Sequence, residues 1–190
     1  MIAHTRQDHA RAAVLTIFAP FVLGYFLSYL FRNINASLAS RFTAELGLDA
    51  ADLGALTSAY FCSFALAQIP VGIALDRFGP RRVQIGLLSL AALGAVIFAS
   101  ATSYSGLLLG RTLIGLGSSA ALMAGLKAIV LWLPAARAPT YNGMFVATGA
   151  LGAVTATLPV ELAASHVHWR SLFMALAVAT VLVAMAIAWR

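Results

Sequence analysis

Six apolar runs, each close to the roughly 20 residues that a helix needs to cross a bilayer, constrain this chain more than any other feature. They fall at about 13–35, 51–75, 83–101, 104–133, 140–162 and 169–189. Asp49 precedes the second run as a candidate N-cap, and Pro134 ends the fourth. The chain is 62% hydrophobic and 9% charged, against about 25% charged residues in a soluble domain. So few polar groups cannot cover a water-facing surface, and lipid must be the solvent. The expected fold is therefore all-α and integral to the membrane. A polar, basic segment, 1–12, is expected ahead of a six-helix bundle, 13–190. The first run is too long for the core of a signal peptide and lacks a convincing cleavage site. The single cysteine, Cys62, lies in an apolar run and offers no intrachain disulfide.

Charge supplies the orientation. The net charge of +6 is no argument for nucleic acid, because it has first to be placed on a topology. With the N-terminus cytoplasmic, the inner segments carry Arg6, Arg11, Arg77, Arg81, Arg82, Arg137 and Arg190. The outer loops carry Arg41 and Arg170, and Arg32, Arg111 and Lys127 lie at membrane depth. Both termini are expected to be cytoplasmic.

One inner loop is more specific than a topology signal requires. "GIALDRFGPRRV" places Gly72, Asp76, Arg77, Gly79, Arg81 and Arg82 at fixed offsets. Gly72 allows a second helix to pack closely. Asp76 can face the positive end of a neighbouring helix. Gly79 permits a tight turn, and the arginines hold the loop at an anionic leaflet. The run resembles the signature between helices 2 and 3 of the major facilitator superfamily. "RTLIGLG" (Arg111 to Gly117), "WLPAARAPTYNG" and "HWRSLF" resemble further signatures of that family. The resemblance implies half of a twelve-helix fold, built as two three-helix repeats of inverted topology, although helices 1–3 and 4–6 show no residue-level repeat. It also implies that the 72–82 loop latches two halves of a transporter together, and that Gly115 and Gly117 serve helix packing.

A charge inside a membrane helix costs about 2.5–3.5 kcal/mol or more, so its presence suggests a task. Tyr25, Ser28, Tyr29 and Arg32 recur at helical spacing, within an arc of about 100°. Asn33 and Asn35 lie nearby. The stripe reads either as the lining of a polar cavity, or as an arginine snorkelling to the outer headgroups beside an aromatic belt. Arg111 lies early in the fourth run, without an acid near it in sequence; Gly115 and Ser118 share its face and are expected to leave room beside it. The alternative is a structural arginine bonded to carbonyls. Lys127 is 16 residues further, on the opposite face, and is expected to reach water at the cytoplasmic end. Arginines without acids suit a carboxylate or phosphate.

A narrower resemblance agrees. "SYLFRNINASLA" and "LGLDAADLGALTSAYF" look like the organic anion/cation symporter branch of the family, which has arginines at the positions of Arg32 and Arg111. That branch often carries acids where this chain has Phe31 and Ser118. Proton coupling is therefore not implied, and the coupling ion, proton or sodium, stays open.

The expectation is the N-terminal half of a secondary transporter for a small organic anion, in a bacterial inner membrane. Arg32, Arg111, Tyr25, Tyr29, Asn33 and Asn35 are the candidate substrate residues. A second six-helix bundle is the expected partner, whether a C-terminal half, a separate chain or a second copy. Two other classes compete. A half-size subunit acting by assembly shares every fold-level feature. A membrane enzyme would need a buried base, but His4, His9, His166 and His168 lie outside the apolar runs. No metal site or cofactor is expected; His166, His168 and Glu161 are weak as a ligand set.

Overall fold

The computed structural model describes the backbone of residues 2–189 and the side chains of residues 18–189. It consists of α1 (Ile2–Leu46), α2 (Ala50–Ser100), α3 (Tyr104–Ser118), α4 (Ala121–Trp132), α5 (Ala138–Thr155), α6 (Leu158–His166) and α7 (Trp169–Trp189), with a 3-10 turn at Ala135–Arg137. Among the described residues, α2, the rod Tyr104–Trp132 and α7 are long and apolar enough to cross a membrane. The pair Ala135–Thr155 and Leu158–His166, bent by 42°, is long and apolar enough when taken together, as a broken span or a re-entrant loop. The side chains of segment 1–12, and the whole of Arg190, lie outside the described residues.

α2 is not one rod. At about 1.5 Å per residue it would be more than twice as long as a bilayer core is thick. Its one non-helical residue is Gly79, at φ 78° and ψ 165°, a conformation that a Cβ disfavours. Pro80 follows without needing a helical hydrogen bond. The chain reverses there, since Tyr60 before the break and Ala91 after it both touch α3 at nearly one level, at Gly115 and Gly117. The expected charged loop is thus a one-residue kink between two arms, 50–78 and 80–100. Asp49 caps the first arm: its side chain accepts from the Asp52 amide at 2.8 Å, and Asp52 returns the contact.

The backbone of α1 is helical from Ile2, where the sequence reading starts the helix near residue 13, and three other boundaries differ for a physical reason. α1 runs past residue 35 because Ile34, Leu38 and Phe42 continue its buried stripe. It stops at Gly47, φ 68°, whose amide returns to the Thr43 carbonyl. The fourth run breaks at Ser119–Ala120, where Ser119 Oγ bonds back to the Leu116 carbonyl at 2.6 Å. Side-chain competition for backbone acceptors of this kind bends helices. The fifth run divides after Thr155, and Pro159 opens α6.

Backbones approach most closely along α3. A Cβ on Gly115 would overlap the Tyr60 carbonyl, and one on Gly117 the Ala91 amide. A Cβ on Gly110 would come within 2.8 Å of the Phe98 amide. Small residues hold helices together in this way where no hydrophobic drive operates between them. At the end of the bundle where α7 begins, Phe31, Phe42, Phe98, Trp169 and Phe173 form one buried aromatic cluster.

The arm 80–100 and α7 are bound to each other at both ends. Arg170, in the first turn of α7, donates to the Ala99 and Ala101 carbonyls at 2.8 and 2.6 Å. Arg81, in the first turn of the arm, donates Nε to the Ile187 carbonyl at 3.1 Å and Nη2 to that of Ala188. Each arginine satisfies carbonyls that a helix C-terminus leaves unpaired and opposes its dipole.

Glu45 completes the clamp at Arg170. It accepts from Trp169 Nε1 and Arg170 Nε, and lies 3.0 Å from His168. Its slight burial favours protonation, but the bonds from Trp169 and Arg170 outweigh that and hold the carboxyl below its ordinary 4.5. The resulting stabilisation is complete above pH 4.5 and is lost as the pH falls through the lower folded-state value. Thermal melts in detergent between pH 3 and 6 should show this loss in the wild-type chain and a weaker slope in Glu45→Gln. Identical slopes would remove Glu45 from the clamp.

Candidate functional site

A cavity of about 210 Å3 opens between α1, the first arm of α2 and the α3–α4 break. From α1 it is lined by Tyr25, Ser28, Tyr29 and Arg32, the residues that helical spacing places on one stripe. Phe64 and Gln68 come from α2, and Ser118, Ser119, Leu122 and Met123 from the break. The break is part of the site. Ser28 Oγ donates to the Ser118 carbonyl, and Gln68 Nε2 to the Ser119 carbonyl, both at 3.4 Å. Interrupted helices at membrane depth are tolerated where they line a cavity.

Arg32 is the cation of this cavity. Its guanidinium carbon lies 4.7 Å from the ring centre of Tyr29 and 4.9 Å from that of Phe64, with Phe61 at 5.8 Å. These ring faces offer partial negative charge without neutralising it. No carboxylate among the described residues forms an ion pair with Arg32, and its buried Nε has no hydrogen-bond partner among them. Tyr25 is held in place by stacking on Phe145 (4.6 Å, 15°) and by an edge contact with Tyr29.

The other predicted residues are elsewhere. Asn33 donates Nδ2 to the Tyr29 carbonyl at 2.8 Å, back along its own helix. Asn35 is buried with Oδ1 unpaired among the described residues, away from the cavity lining. Arg111 does not line the cavity either. It is fully buried, donates Nη1 to the Phe31 carbonyl at 3.0 Å and lies 4.9 Å from the ring centre of Tyr60. The room that Gly115 was expected to leave beside it is filled by the backbone of Tyr60. Ser118, a turn further on, does reach the cavity.

The 72–82 signature spreads over several contacts. A Cβ placed on Gly72 would meet no other helix within 4 Å among the described residues. Asp76 meets Lys127 Nζ at 2.6 Å, although 84% of the Asp76 side chain is exposed. Sequence reasoning paired neither residue with the other. The 51 positions between them hide a contact that the Gly79 reversal creates. Arg77 lies over the Phe78 ring, Arg81 reaches α7, and Arg82 borders a groove between α2 and α3. Gln68 and Ser119 were also missed. The Ser118-Ser119 pair after Gly117 was the available signal for a break.

The profile of the Major Facilitator Superfamily matches residues 21–190. The chain belongs to that superfamily. It is 34% identical over 131 residues to the nitrate/nitrite transporter NrtP of Picosynechococcus sp., covering 67% of this chain and 24% of NrtP. It is 32% identical over 156 residues to a hexuronate transporter of Escherichia coli, covering 80% and 35%. Its fold matches the crystal structure of a bacterial homologue of the human lysosomal transporter Spinster, inward-facing and occupied. The TM-score is 0.79 at 22% identity, covering 94% of this chain and 44% of that one. The chain spans less than half the length of each of these relatives. It is an integral membrane protein of a family of transporters, not enzymes.

Two N–H groups of Arg111, Nε and Nη2, are buried without partners among the described residues. A charge so poorly compensated can be replaced by an apolar side chain of similar size at little or no loss of stability. Arg111→Met should therefore melt in detergent no lower than the wild-type chain. A fall of more than about 4 °C, on the order of 1 kcal/mol or more for a chain of this size, would make Arg111 a structural peg.

Proposed function

We propose that this chain is the N-terminal half of a secondary transporter for small anions, and that Arg32 is the cation that binds them. One observation carries the reading: Arg32 stands in a cavity at membrane depth, against aromatic faces and without a carboxylate among the described residues. An arginine in that setting can offer a planar fork to a carboxylate or an oxyanion. Tyr25, Tyr29, Ser28 and Gln68 supply hydroxyl and amide groups around it. The cavity is below the roughly 300–1,000 Å3 of drug-sized sites, which suits a small solute. Nitrate and hexuronates, the cargoes named for two relatives, are both anions.

Transport by alternating access needs a second six-helix bundle, against which this one rocks. Gly72, which meets no other described helix, offers that bundle a face for close packing. The latch role of Asp76 rests on the family resemblance, and Lys127 competes for the same carboxylate. Arg111 lies outside the cavity in the state described, its guanidinium donating to the Phe31 carbonyl.

In proteoliposomes holding the complete carrier, Arg32→Gln should reduce uptake of the transported anion by about ten- to a hundredfold, the weight of one charged hydrogen-bond pair. Arg32→Lys should recover part of it, and Lys127→Gln should have a much smaller effect. A panel of hexuronates, aldonates, dicarboxylates and nitrate, with a neutral sugar as control, identifies the anion. Unchanged uptake in Arg32→Gln would remove Arg32 from the site, and an equal loss for a neutral solute would make the defect structural.

The proposed orientation puts both termini in the cytoplasm of a bacterial cell, at the inner membrane. In a Cys62→Ser background, Ser165→Cys should react with an impermeant thiol reagent added outside, and Arg137→Cys should not. The reverse pattern overturns the orientation.

A further inference from the structure

The 72–82 segment holds three arginines whose partners account for all but one of them. Arg81 is engaged by the carbonyls of Ile187 and Ala188, and Arg77 lies 5.2 Å from the centre of the Phe78 ring. The acid of the segment, Asp76, is taken by Lys127. Arg82 makes no ion pair among the described residues. It is exposed and stands at the edge of a groove of about 350 Å3, separate from the Arg32 cavity. Ala67, Pro70 and Ala74 of one α2 arm, Gly86 of the other, and Leu116 of α3 form its apolar walls. No described atom lies within 4 Å of a Cβ placed on Gly86, so the groove is open there. At about 100° per residue, Pro70 and Ala74 lie about 160° from Gly72 around their helix. The groove therefore faces away from the surface proposed to meet a second bundle, and toward lipid.

We propose that this groove binds one anionic glycerophospholipid, with an acyl chain along the Ala67–Ala74 wall and the headgroup phosphate on Arg82. The charge argument selects the occupant. A neutral apolar tail alone would need no cation at the rim, and a free phosphate would make no use of the apolar wall. A phospholipid uses both, and a guanidinium at the membrane surface suits its phosphate. This site does not depend on what Arg32 binds.

The test is native mass spectrometry of the purified chain, in detergent micelles doped with phosphatidylglycerol or with phosphatidylcholine. Arg82→Gln should lower phosphatidylglycerol occupancy about five-fold, the weight of one basic residue near an anionic surface, and lower phosphatidylcholine less, because its choline already balances the phosphate that Arg82 would hold. Arg77→Gln, which removes the same charge from outside the groove, should retain the wild-type occupancy. Gly86→Phe, which fills the open wall, should lower both lipids while circular dichroism shows unchanged helicity. Equal losses from Arg77→Gln and Arg82→Gln, or no loss from Arg82→Gln, would overturn the site. The two exposed arginine variants decide the matter even where Gly86→Phe does not fold.

Discussion

The close approach of backbones along α3 is the contact on which the rest of the bundle depends. Gly115 admits the Tyr60 carbonyl, and Gly117, two residues on and so on nearly the opposite face, admits the Ala91 amide. Two arms of α2 are thereby drawn onto one helix, which is possible because Gly79 reverses the chain between them. Lipid tails are as apolar as leucine, so association within the bilayer rests on such packing and on hydrogen bonds. The same seam has an electrostatic consequence. By bringing Tyr60 over Arg111 it closes the space beside the guanidinium. Arg111 is left to a carbonyl and a ring, and the open polar volume lies instead at the α3–α4 break.

The three cations of the apolar runs thus reach three different settlements. Lys127 finds a carboxylate, in a pair exposed enough to be worth about 1 kcal/mol or less. Arg111 finds a backbone carbonyl and an aromatic face, deep in the bundle. Arg32 finds aromatic faces and a cavity. The first two are compensated, wholly or in part, inside the chain. The third borders a cavity and keeps a buried Nε without a partner among the described residues, which is why the proposed binding role falls to Arg32.

What the sequence discloses follows from which forces are local. Membrane spans follow from length and apolarity, and the Tyr25–Arg32 stripe follows from helical period; both are visible in one dimension. The N-cap at Asp49 depends on residues three apart and is equally legible. The role of Arg111 was not, because it turns on whether the space beside Gly115 is empty or filled, and the filler comes from another helix. Asp76 and Lys127 escaped for the same reason. The helix breaks at Ser119 and after Thr155 were locally encoded, but their serine, threonine and proline signals sit inside runs whose apolarity alone is enough to suggest one continuous span.

The inverted repeat is the instructive middle case. Comparison of helices 1–3 with 4–6 by sequence shows no correspondence, yet Arg81 and Arg170 do equivalent work. Each stands in the first turn of the last helix of its three-helix unit. Each also bonds the carbonyl end of the other unit's last helix. The requirement that unites them is physical: in an antiparallel pair, each helix start lies beside a helix end whose carbonyls lack partners. An arginine one turn in can serve any such carbonyl, whatever residue carries it. The acceptor residues are therefore free to differ, here Ala99 and Ala101 in one case and Ile187 and Ala188 in the other. A repeat maintained through backbone acceptors constrains only its donors, and one residue in each unit is too little for a sequence comparison to detect.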